Sequence, residues 1–396
     1  MKYKVRFFLF FAAMVLFQLS ANFAHPITPT IIQDLGLPDY MFGLMLAAMM
    51  LSNFLFSPFW GKINATLSSR QTLLICCNGY AVAQLIFAFA QTQGAILLAR
   101  VLAGIFVGGI FVSFLTYVIN TAKAEDQAKY LTYSATIQAV VGAFGYLIGG
   151  VIGEFSIRGT FLLQAICLCA AGIAFRFICL PDHTVTQRVP LCQTLRESNP
   201  LQAFLDSKAF MDLAFVLLFS MNILLNFGNT GFDQVFNYYL KDQLGLTSSY
   251  NGFIKAFVGL ISFVSNMTLC IWLIRKTDTK KSMVVMAVFC TAASLGALVF
   301  PKISLFILCS VLAYAGYSVS IPVLQHMVAA QADPAQKNLV MGFYNATKSL
   351  GSILGSLLAG FLYAVHTKLP FLVVVIVYGC SVVAAFGYFL QQRKSK

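Results

Sequence analysis

The sequence is 396 residues long, 59% of them hydrophobic and only 10% charged, with a formal net charge of +13. Soluble domains carry about 25% charged residues, so this composition excludes an ordinary soluble domain and indicates an integral membrane protein. The basic residues are scattered near the ends of apolar segments rather than gathered in a patch. Nucleic acid is therefore not expected as a partner, whereas the lipid bilayer is expected as one.

Twelve apolar segments are long enough to cross a bilayer, at roughly 20 residues for each crossing. The sequence therefore predicts an all-α integral membrane fold with twelve transmembrane helices. The longest polar stretch, at 181–209, predicts a linker between an N-terminal bundle of six helices (1–180) and a C-terminal bundle of six (210–396). In chain order we place the helices at about 5–30, 40–60, 72–91, 95–120, 130–153, 160–180, 210–240, 250–274, 282–300, 303–328, 338–364 and 369–390.

The distribution of positive charge predicts the orientation, because Lys and Arg accumulate on the cytoplasmic side. With the N-terminus inside, the inner segments hold nineteen basic residues and the outer loops hold four: Arg158, Lys241, Lys302 and Lys368. We therefore predict that both termini and the linker are cytoplasmic, in the plasma or inner membrane of the cell.

The two halves of the chain repeat each other at a constant offset. The Val-Leu-Ala of 101–103 recurs at 311–313, and the Gly-x-x-x-Gly-Gly of 145–150 recurs as Gly-x-x-x-Ala-Gly at 355–360, in both cases 210 residues later. A constant offset indicates duplication. It predicts two pseudo-symmetric bundles with a substrate site near the membrane midplane between them.

One predicted helix, 210–240, carries a polar stripe. Its polar residues are spaced by 4, 3, 4 and 4, which places them on one helical face. A carboxylate at the bilayer centre costs about 2.5–3.5 kcal/mol on insertion scales, so the stripe is expected to face a bundle interior or a wet cavity. It either lines a transport pathway or joins helices by hydrogen bonds. Its members are Asn222, Asn226, Asn229, Asp233 and Asn237.

Charged residues inside the spans are few. Asp233 is the one acid placed firmly within a span, against the cations Arg100, Lys255 and Lys348. A Lys255–Asp233 ion pair is geometrically feasible, and Lys255 near a helix end could instead extend toward the interface. If Arg100 and Lys348 face the pathway, an anionic or zwitterionic substrate fits as well as a lipophilic cation does.

Three motifs lie at the corresponding places of one known family. In the first motif, Arg100 is followed by a glycine-rich helix face that includes Gly104. In the second, residues 142–150 read Gly-Ala-Phe-Gly-Tyr-Leu-Ile-Gly-Gly. The third is a short polar loop from Gly61 to Arg70. With these motifs the sequence resembles the major facilitator superfamily, and within it the twelve-helix drug:proton antiporters. The resemblance covers nearly the whole chain.

The resemblance implies roles for particular residues. Arg100 and Asp233, the latter following Phe232 as in those exporters, are implied in proton coupling. Tyr146 stands where the family has a proline in its antiporter motif, and Ala65 stands where the family's loop has an aspartate. The residues implied at structural motif positions are Gly61, Arg70, Gly104, Gly145, Gly149 and Gly150.

The sequence carries no phosphate-cradling loop, ATPase domain or metal-ligand spacing, so we expect no enzyme activity, no cofactor and no metal. We predict a monomeric secondary transporter that exports small amphipathic compounds in exchange for protons, by alternating access biased by protonation of Asp233. The alternatives are a carrier of an anionic metabolite that binds carboxylates through Arg100 and Lys348, and a membrane sensor or lipid-handling protein. Candidate substrate-binding residues are Asn226, Asn229, Phe232, Phe236, Asn237, Lys348, Tyr344, Phe111, Phe114 and Tyr117.

Overall fold

The computed structural model describes residues 3–182, 194, 198–333 and 336–394, and this part of the chain is helical. About half of the predicted linker, at 183–193 and 195–197, lies outside the described residues. The helices of the first half are α1 (Tyr3–Ala21), α2 (Thr28–Asp34), α3 (Met41–Leu67), α4 (Ser69–Phe89), α5 (Gln93–Thr121), α6 (Ala124–Phe155) and α7 (Ile157–Ile178).

The second half begins with a short helix, α8, and a 3₁₀ turn (Ser207–Ala209). A π-helical turn (Asn266–Cys270) interrupts the second of its long helices and separates α10 from α11. The helices are α8 (Gln202–Asp206), α9 (Leu213–Asp242), α10 (Ser248–Ser265), α11 (Ile271–Lys276), α12 (Thr279–Val299), α13 (Ile303–Gln331), α14 (Lys337–Val365) and α15 (Leu369–Lys394).

Within the described residues, twelve helical segments are long and apolar enough to cross a membrane, which confirms the predicted fold class. Their outward surfaces are apolar as well: Phe155, Phe177 and Val365 are among many large hydrophobic side chains left exposed, Phe155 by 87%. Exposed apolar surface on this scale marks a site of interaction, and along helices of this length it fits the hydrocarbon of a bilayer.

Contacts divide the chain into two compact units. The first unit comprises Met1–Leu37, Ala48–Pro200 and Leu240–Gly259, and the second comprises Pro38–Ala47, Leu201–Tyr239 and Leu260–Lys396. In the first unit α4 packs on α5 and α7, and α1 packs on α6 and α7; in the second, α12 packs on α13 and α15, and α14 packs on the same two helices. The bundle boundaries read from the sequence, at 180 and 210, stay a prediction.

The first predicted helix is shorter in the structure than in the sequence interpretation. The segment at about 5–30 divides into α1, which ends at Ala21, and α2, which starts at Thr28. Two prolines account for the break, since Pro26 has no N–H to donate and disfavours helical geometry in the residue before it. Pro29 then lies in the first turn of α2, where a missing N–H costs nothing.

The predicted loop from Gly61 to Arg70 is largely helical. Helix α3 continues to Leu67, Ser68 alone adopts a left-handed backbone with φ of 70°, and α4 starts at Ser69. The backbone N–H of Ser69 donates to Asp182 Oδ1 at 2.7 Å, and the Ser69 hydroxyl donates to Asp182 Oδ2. A buried carboxylate from the end of α7 therefore satisfies the first turn of α4, where negative charge is favourable.

Replacing Asp182 by alanine should destabilise the protein. The change leaves the Ser69 N–H buried without its acceptor and removes the charge from the helix start, which costs about 1–2 kcal/mol. A lower midpoint in thermal unfolding of the purified protein is the expected result. Asp206→Ala is the matched control, because Asp206 is half-buried and accepts a local hydrogen bond from Gln202, four residues earlier. Equal shifts in both variants would contradict the assignment.

Candidate functional site

The polar stripe of α9 lies almost wholly inside the second unit. Asn222 is 0% exposed and Asn226 is 1% exposed. The Asn222 amide donates to the carbonyl oxygen of Tyr344 at 2.7 Å and to Thr347 Oγ1 at 2.9 Å. Because Tyr344 and Thr347 belong to α14, the amide ties α9 to that helix.

Asn226 extends this hydrogen-bond chain to a third helix. Its amide nitrogen donates to Asn222 O at 2.8 Å, and its carbonyl oxygen accepts from the Tyr317 hydroxyl of α13, also at 2.8 Å. Both ends of the side chain are thereby used within the protein. For Asn222 and Asn226 the structure favours the helix-joining interpretation, and a substrate-binding role for Asn226 stays a prediction.

Asp233 lies one to two turns further along α9 and is half-buried. The Tyr314 hydroxyl of α13 donates to Asp233 Oδ1 at 2.9 Å. Two phenylalanines of α9 pack edge-on against the same tyrosine: the Phe232 ring lies 5.5 Å from the Tyr314 ring and the Phe236 ring 5.7 Å from it. The acid is thus held by a hydroxyl donor in largely aromatic surroundings, and a role for it in proton coupling stays a prediction.

The other stripe members and α14 complete this region. Asn229 is half-buried and Asn237 is buried, as is Tyr344, whose hydroxyl has no hydrogen-bond partner among the described residues. Such a buried hydroxyl is uncommon in native proteins. It marks Tyr344 as a group able to bond to something other than the described protein.

Lys348 is exposed, and it shares the exposed polar side of α14 with Asn345. The exposed apolar residues of the same helix, Leu354, Leu358 and Phe361, lie about 80–140° away from Lys348 around the helix axis, at 100° for each residue. Since an apolar face suits lipid and a polar face suits water, the two faces have different surroundings. Lys348 therefore lies on the side suited to an aqueous pathway.

Arg100 is buried in the first unit at 4% exposure. Its guanidinium carbon lies 4.2 Å from the centroid of the Phe87 ring, within the range of a cation–π contact. Neutral polar groups lie nearby: the Gln84 amide donates to the Tyr80 hydroxyl at 3.0 Å, which donates to the carbonyl of Ala21 at 3.2 Å. Its positive charge is therefore stabilised by a ring and dipoles in the described structure.

Tyr146 occupies the position of the family's proline and has contacts of its own in the first unit. Its ring stacks on His25, with centroids 5.2 Å apart and an angle of 8°. Lys255 Nζ lies 5.8 Å from the centroid of the same ring. Lys255 is buried rather than extended toward a surface, so Tyr146 joins the end of α1 to α10 through ring contacts.

The aromatic candidates of α5 lie in the core. Phe114 and Tyr117 are 1% and 0% exposed, and Phe111 is half-buried with its ring against Phe114. The Tyr117 hydroxyl accepts the N–H of Leu180 at 3.4 Å. Packing explains the first two residues, and a role in lining a substrate pathway stays a prediction for all three.

The motif glycines differ in how closely they are packed. A Cβ atom on Gly104 would lie 2.1 Å from Met49 O, and one on Gly149 would lie 2.2 Å from Phe23 O. Gly150 would meet Ser248 O at 2.4 Å, whereas Gly61 would have only Val112 at 3.9 Å. Close helix contact therefore requires glycine at the first three positions. Arg70 is half-buried in the first turn of α4.

Sequence reasoning missed two hydroxyl partners, Tyr314 and Tyr317. They are spaced by three residues, so they share a face of the predicted helix at 303–328. That spacing is a signal, but it is weak in a chain with 16 tyrosines. Asp182 was missed as a capping group because it follows the sixth predicted helix and its partner lies 113 residues earlier.

Among the described residues, twelve helices are long and apolar enough to cross a membrane, and their spans hold a half-buried acid, a buried arginine and buried amides, as expected for the class of polytopic membrane transporters. The chain belongs to the Major Facilitator Superfamily, whose family model matches residues 9–304 and 269–396. It is therefore a transporter rather than an enzyme.

Individual relatives are distant but match along most of their length. The chain is 21% identical to Multidrug resistance protein 2 of Bacillus subtilis (strain 168) over 347 residues, which are 88% of this chain and 86% of that protein. It is 24% identical to the quinolone resistance protein NorA of Staphylococcus aureus over 381 residues, or 92% and 91%. The crystal structure of a bacterial homolog to the human lysosomal transporter Spinster has the same fold, with a TM-score of 0.78 and 14% identity over 98% of this chain and 97% of that one.

Proposed function

We propose that this transporter exports small amphipathic compounds in exchange for protons. The observation that carries the proposal is the environment of Asp233: a half-buried carboxylate in a membrane-spanning helix, bonded to the Tyr314 hydroxyl and bordered by Phe232 and Phe236. Intramembrane acids are costly and are usually functional. The two relatives whose names refer to multidrug and quinolone resistance support export of drug-like compounds.

The mechanism follows from a difference in charge between two states of Asp233. The ionised carboxylate favours a conformation that keeps it hydrated or paired, and the neutral acid is tolerated in apolar surroundings. Proton uptake on one side and release on the other therefore shift the equilibrium between two conformations of the carrier. Phe232 and Phe236 are 2% and 0% exposed and pack within the second unit, so their contact with a ligand stays a prediction.

The experiment uses purified protein in liposomes with an imposed pH gradient. Internal pH is followed while cationic dyes and, separately, small carboxylates are added. Proton movement that depends on the dyes is the expected result. Protein-free liposomes control for leakage, and dyes that move no protons would contradict the proposal.

The same proposal includes location. We place the protein in the cell membrane as a monomer, with both termini in the cytoplasm. The nineteen-to-four distribution of basic residues supports this orientation of the termini. Protease accessibility of tags at each terminus, in intact cells and in inverted vesicles, tests this orientation.

One observation favours a second candidate, a carrier of an anionic metabolite. Lys348 is exposed on the polar side of α14, beside Asn345 and away from the apolar residues of that helix. A cation in such a position can bind a carboxylate directly. In the liposome experiment, a response to carboxylates alone would support this candidate over drug export.

Lys348→Ala should reduce transport of anionic substrates by at least about tenfold, since one charge-assisted hydrogen bond contributes about 1.5–3 kcal/mol. Neutral and cationic substrates should be affected much less. Initial uptake rates for matched acids and amides give the comparison. Lys302→Ala, at an exposed position outside the membrane-spanning helices, is the control. An equal loss for all substrates of Lys348→Ala would point to folding instead.

A further inference from the structure

A cavity of about 490 Å³ lies in the first unit where two connections between helices, α6–α7 and α9–α10, meet helix α2. It is lined by the end of α6 and the start of α7, by the segment joining α9 to α10, and by Thr30 of α2. Two of its lining residues are Arg158 and Lys241. These are two of the four basic residues predicted for the outer side of the membrane. Half of the positive charge predicted for that side therefore lies at one cavity.

The walls of this cavity are fixed by direct backbone packing. A Cβ atom on Gly150 would lie 2.4 Å from Ser248 O, and one on Gly153 would lie 2.1 Å from Ile27 Cγ2. The Ser248 backbone therefore prevents the last two turns of α6 from moving closer to α10, and the Ile27 side chain packs on Gly153 from the connection between α1 and α2. A cavity held in this way is formed before any ligand arrives, which lowers the cost of binding.

The lining carries two cations and one carboxylate. Glu154 Oε1 accepts the backbone N–H of Ser249 at 3.0 Å, so this carboxylate is engaged by the first turn of α10. Lys241 is close enough to Glu154 to interact with it electrostatically, but among the described residues neither Lys241 nor Arg158 forms a salt bridge. The donors of Arg158 in particular are available to a ligand.

We propose that this cavity is a binding site for an anionic phosphate group, held by Arg158 and Lys241 with the hydroxyls of Thr30 and Ser248. A guanidinium offers a planar pair of donors that matches two phosphate oxygens, and an ammonium adds a third contact. The two hydroxyls lie 3.5 Å apart and supply further donors. The cavity exceeds the size of inorganic phosphate, which leaves room for the phosphate of a larger molecule, either a soluble monoester or a lipid headgroup.

The site is distinct from the proposed transport residues. Bound phosphate bridges the start of α7, through Arg158, to the end of α9, through Lys241. Its occupancy raises the stability of the folded protein by mass action.

The experiment measures binding to the full-length purified protein. Thermal unfolding midpoints are recorded in detergent during titration with inorganic phosphate and with glycerol 3-phosphate. In a second arm the protein is placed in nanodiscs of phosphatidylcholine alone or with added phosphatidic acid, and retained lipid is counted by native mass spectrometry. The test variant is Arg158→Gln/Lys241→Gln. The control variant, Lys302→Gln/Lys368→Gln, removes two charges from the same predicted face.

The wild type and the control should bind alike, and the test variant should bind at least about tenfold more weakly, the effect of losing charge-assisted hydrogen bonds. Stabilisation by the soluble phosphates identifies a soluble ligand, and retention of phosphatidic acid identifies a headgroup. Equal weakening of binding in both double variants would show that the effect comes from surface charge in general, and it would overturn the proposed site. So would the absence of binding in both arms. Arg158→Lys guards against misfolding: it keeps the charge, and it should retain part of the affinity.

Discussion

Asp233→Asn is expected to abolish proton-driven transport while the protein still inserts and folds. Asparagine has nearly the same size, and its carbonyl oxygen can still accept the Tyr314 hydroxyl that bonds to Asp233 in the structure. It cannot take up a proton, so the two conformations of the carrier lose their link to the pH gradient. In liposomes with an imposed gradient, substrate-dependent proton movement should fall to the level of protein-free liposomes.

The matched control is Asp242→Asn. Asp242 lies at the end of the same helix, α9, where it accepts a hydrogen bond from Gln33 at 3.4 Å. The chemical change and the helix are the same, whereas the position along the span and the hydrogen-bond partner differ. Substrate binding and the thermal unfolding midpoint should be close to wild type in both variants. Unchanged proton-driven transport in Asp233→Asn would remove this residue from the coupling mechanism.

Alanine at Gly145 or Gly355 should destabilise the protein strongly. A Cβ atom on Gly145 would lie 2.3 Å from Leu19 O, and one on Gly355 would lie 2.2 Å from Phe227 O. Real Cβ atoms do not approach backbone oxygen so closely, so α6 would have to separate from α1, and α14 from α9. Overpacking costs about 1–3 kcal/mol and occasionally more, and the rigid backbone on both sides places this change at the upper end.

The sign of this effect is informative, because helix propensity acts in the opposite direction. In a helix without tight contacts, glycine to alanine stabilises by about 1 kcal/mol. Gly61→Ala is the control: its nearest neighbour would be Val112 at 3.9 Å, an ordinary contact, and it should be neutral or stabilising. The stability of all three variants is measured by thermal unfolding and by the yield of monodisperse protein. Wild-type stability of Gly145→Ala would show that the close helix contact does not hold.

The equivalence of Gly145 and Gly355 also explains the repeat in the sequence. The two residues are 210 positions apart, and each brings its helix against the backbone of the first long helix in its half of the chain. Small residues are selected where helices touch. A duplicated contact therefore appears in the sequence as a duplicated glycine pattern, which made the two-fold repeat of the fold predictable.

The sequence by itself determined the class of fold and the number of spans. Hydropathy is a local property of about 20 residues, and the bilayer requires every span to satisfy its backbone internally. The same local reasoning located the polar stripe of α9 by its period. It failed at the end of α1 and in the loop at 61–70, where Pro26 and the capping of Ser69 by Asp182 set the boundaries.

Only the tertiary structure decided which polar groups meet. A helical period shows that Asn226 and Asp233 share a face, but it does not show which helix lies opposite. The hydrogen bonds from Tyr317 and Tyr314 come from residues 91 and 81 positions away. The burial of Phe114 and Tyr117 could not be predicted either. Aromatic residues occur both in a packed core and along a transport pathway, and the sequence does not distinguish the two. Partners of this kind depend on helix packing, which is set by contacts between segments far apart in the chain.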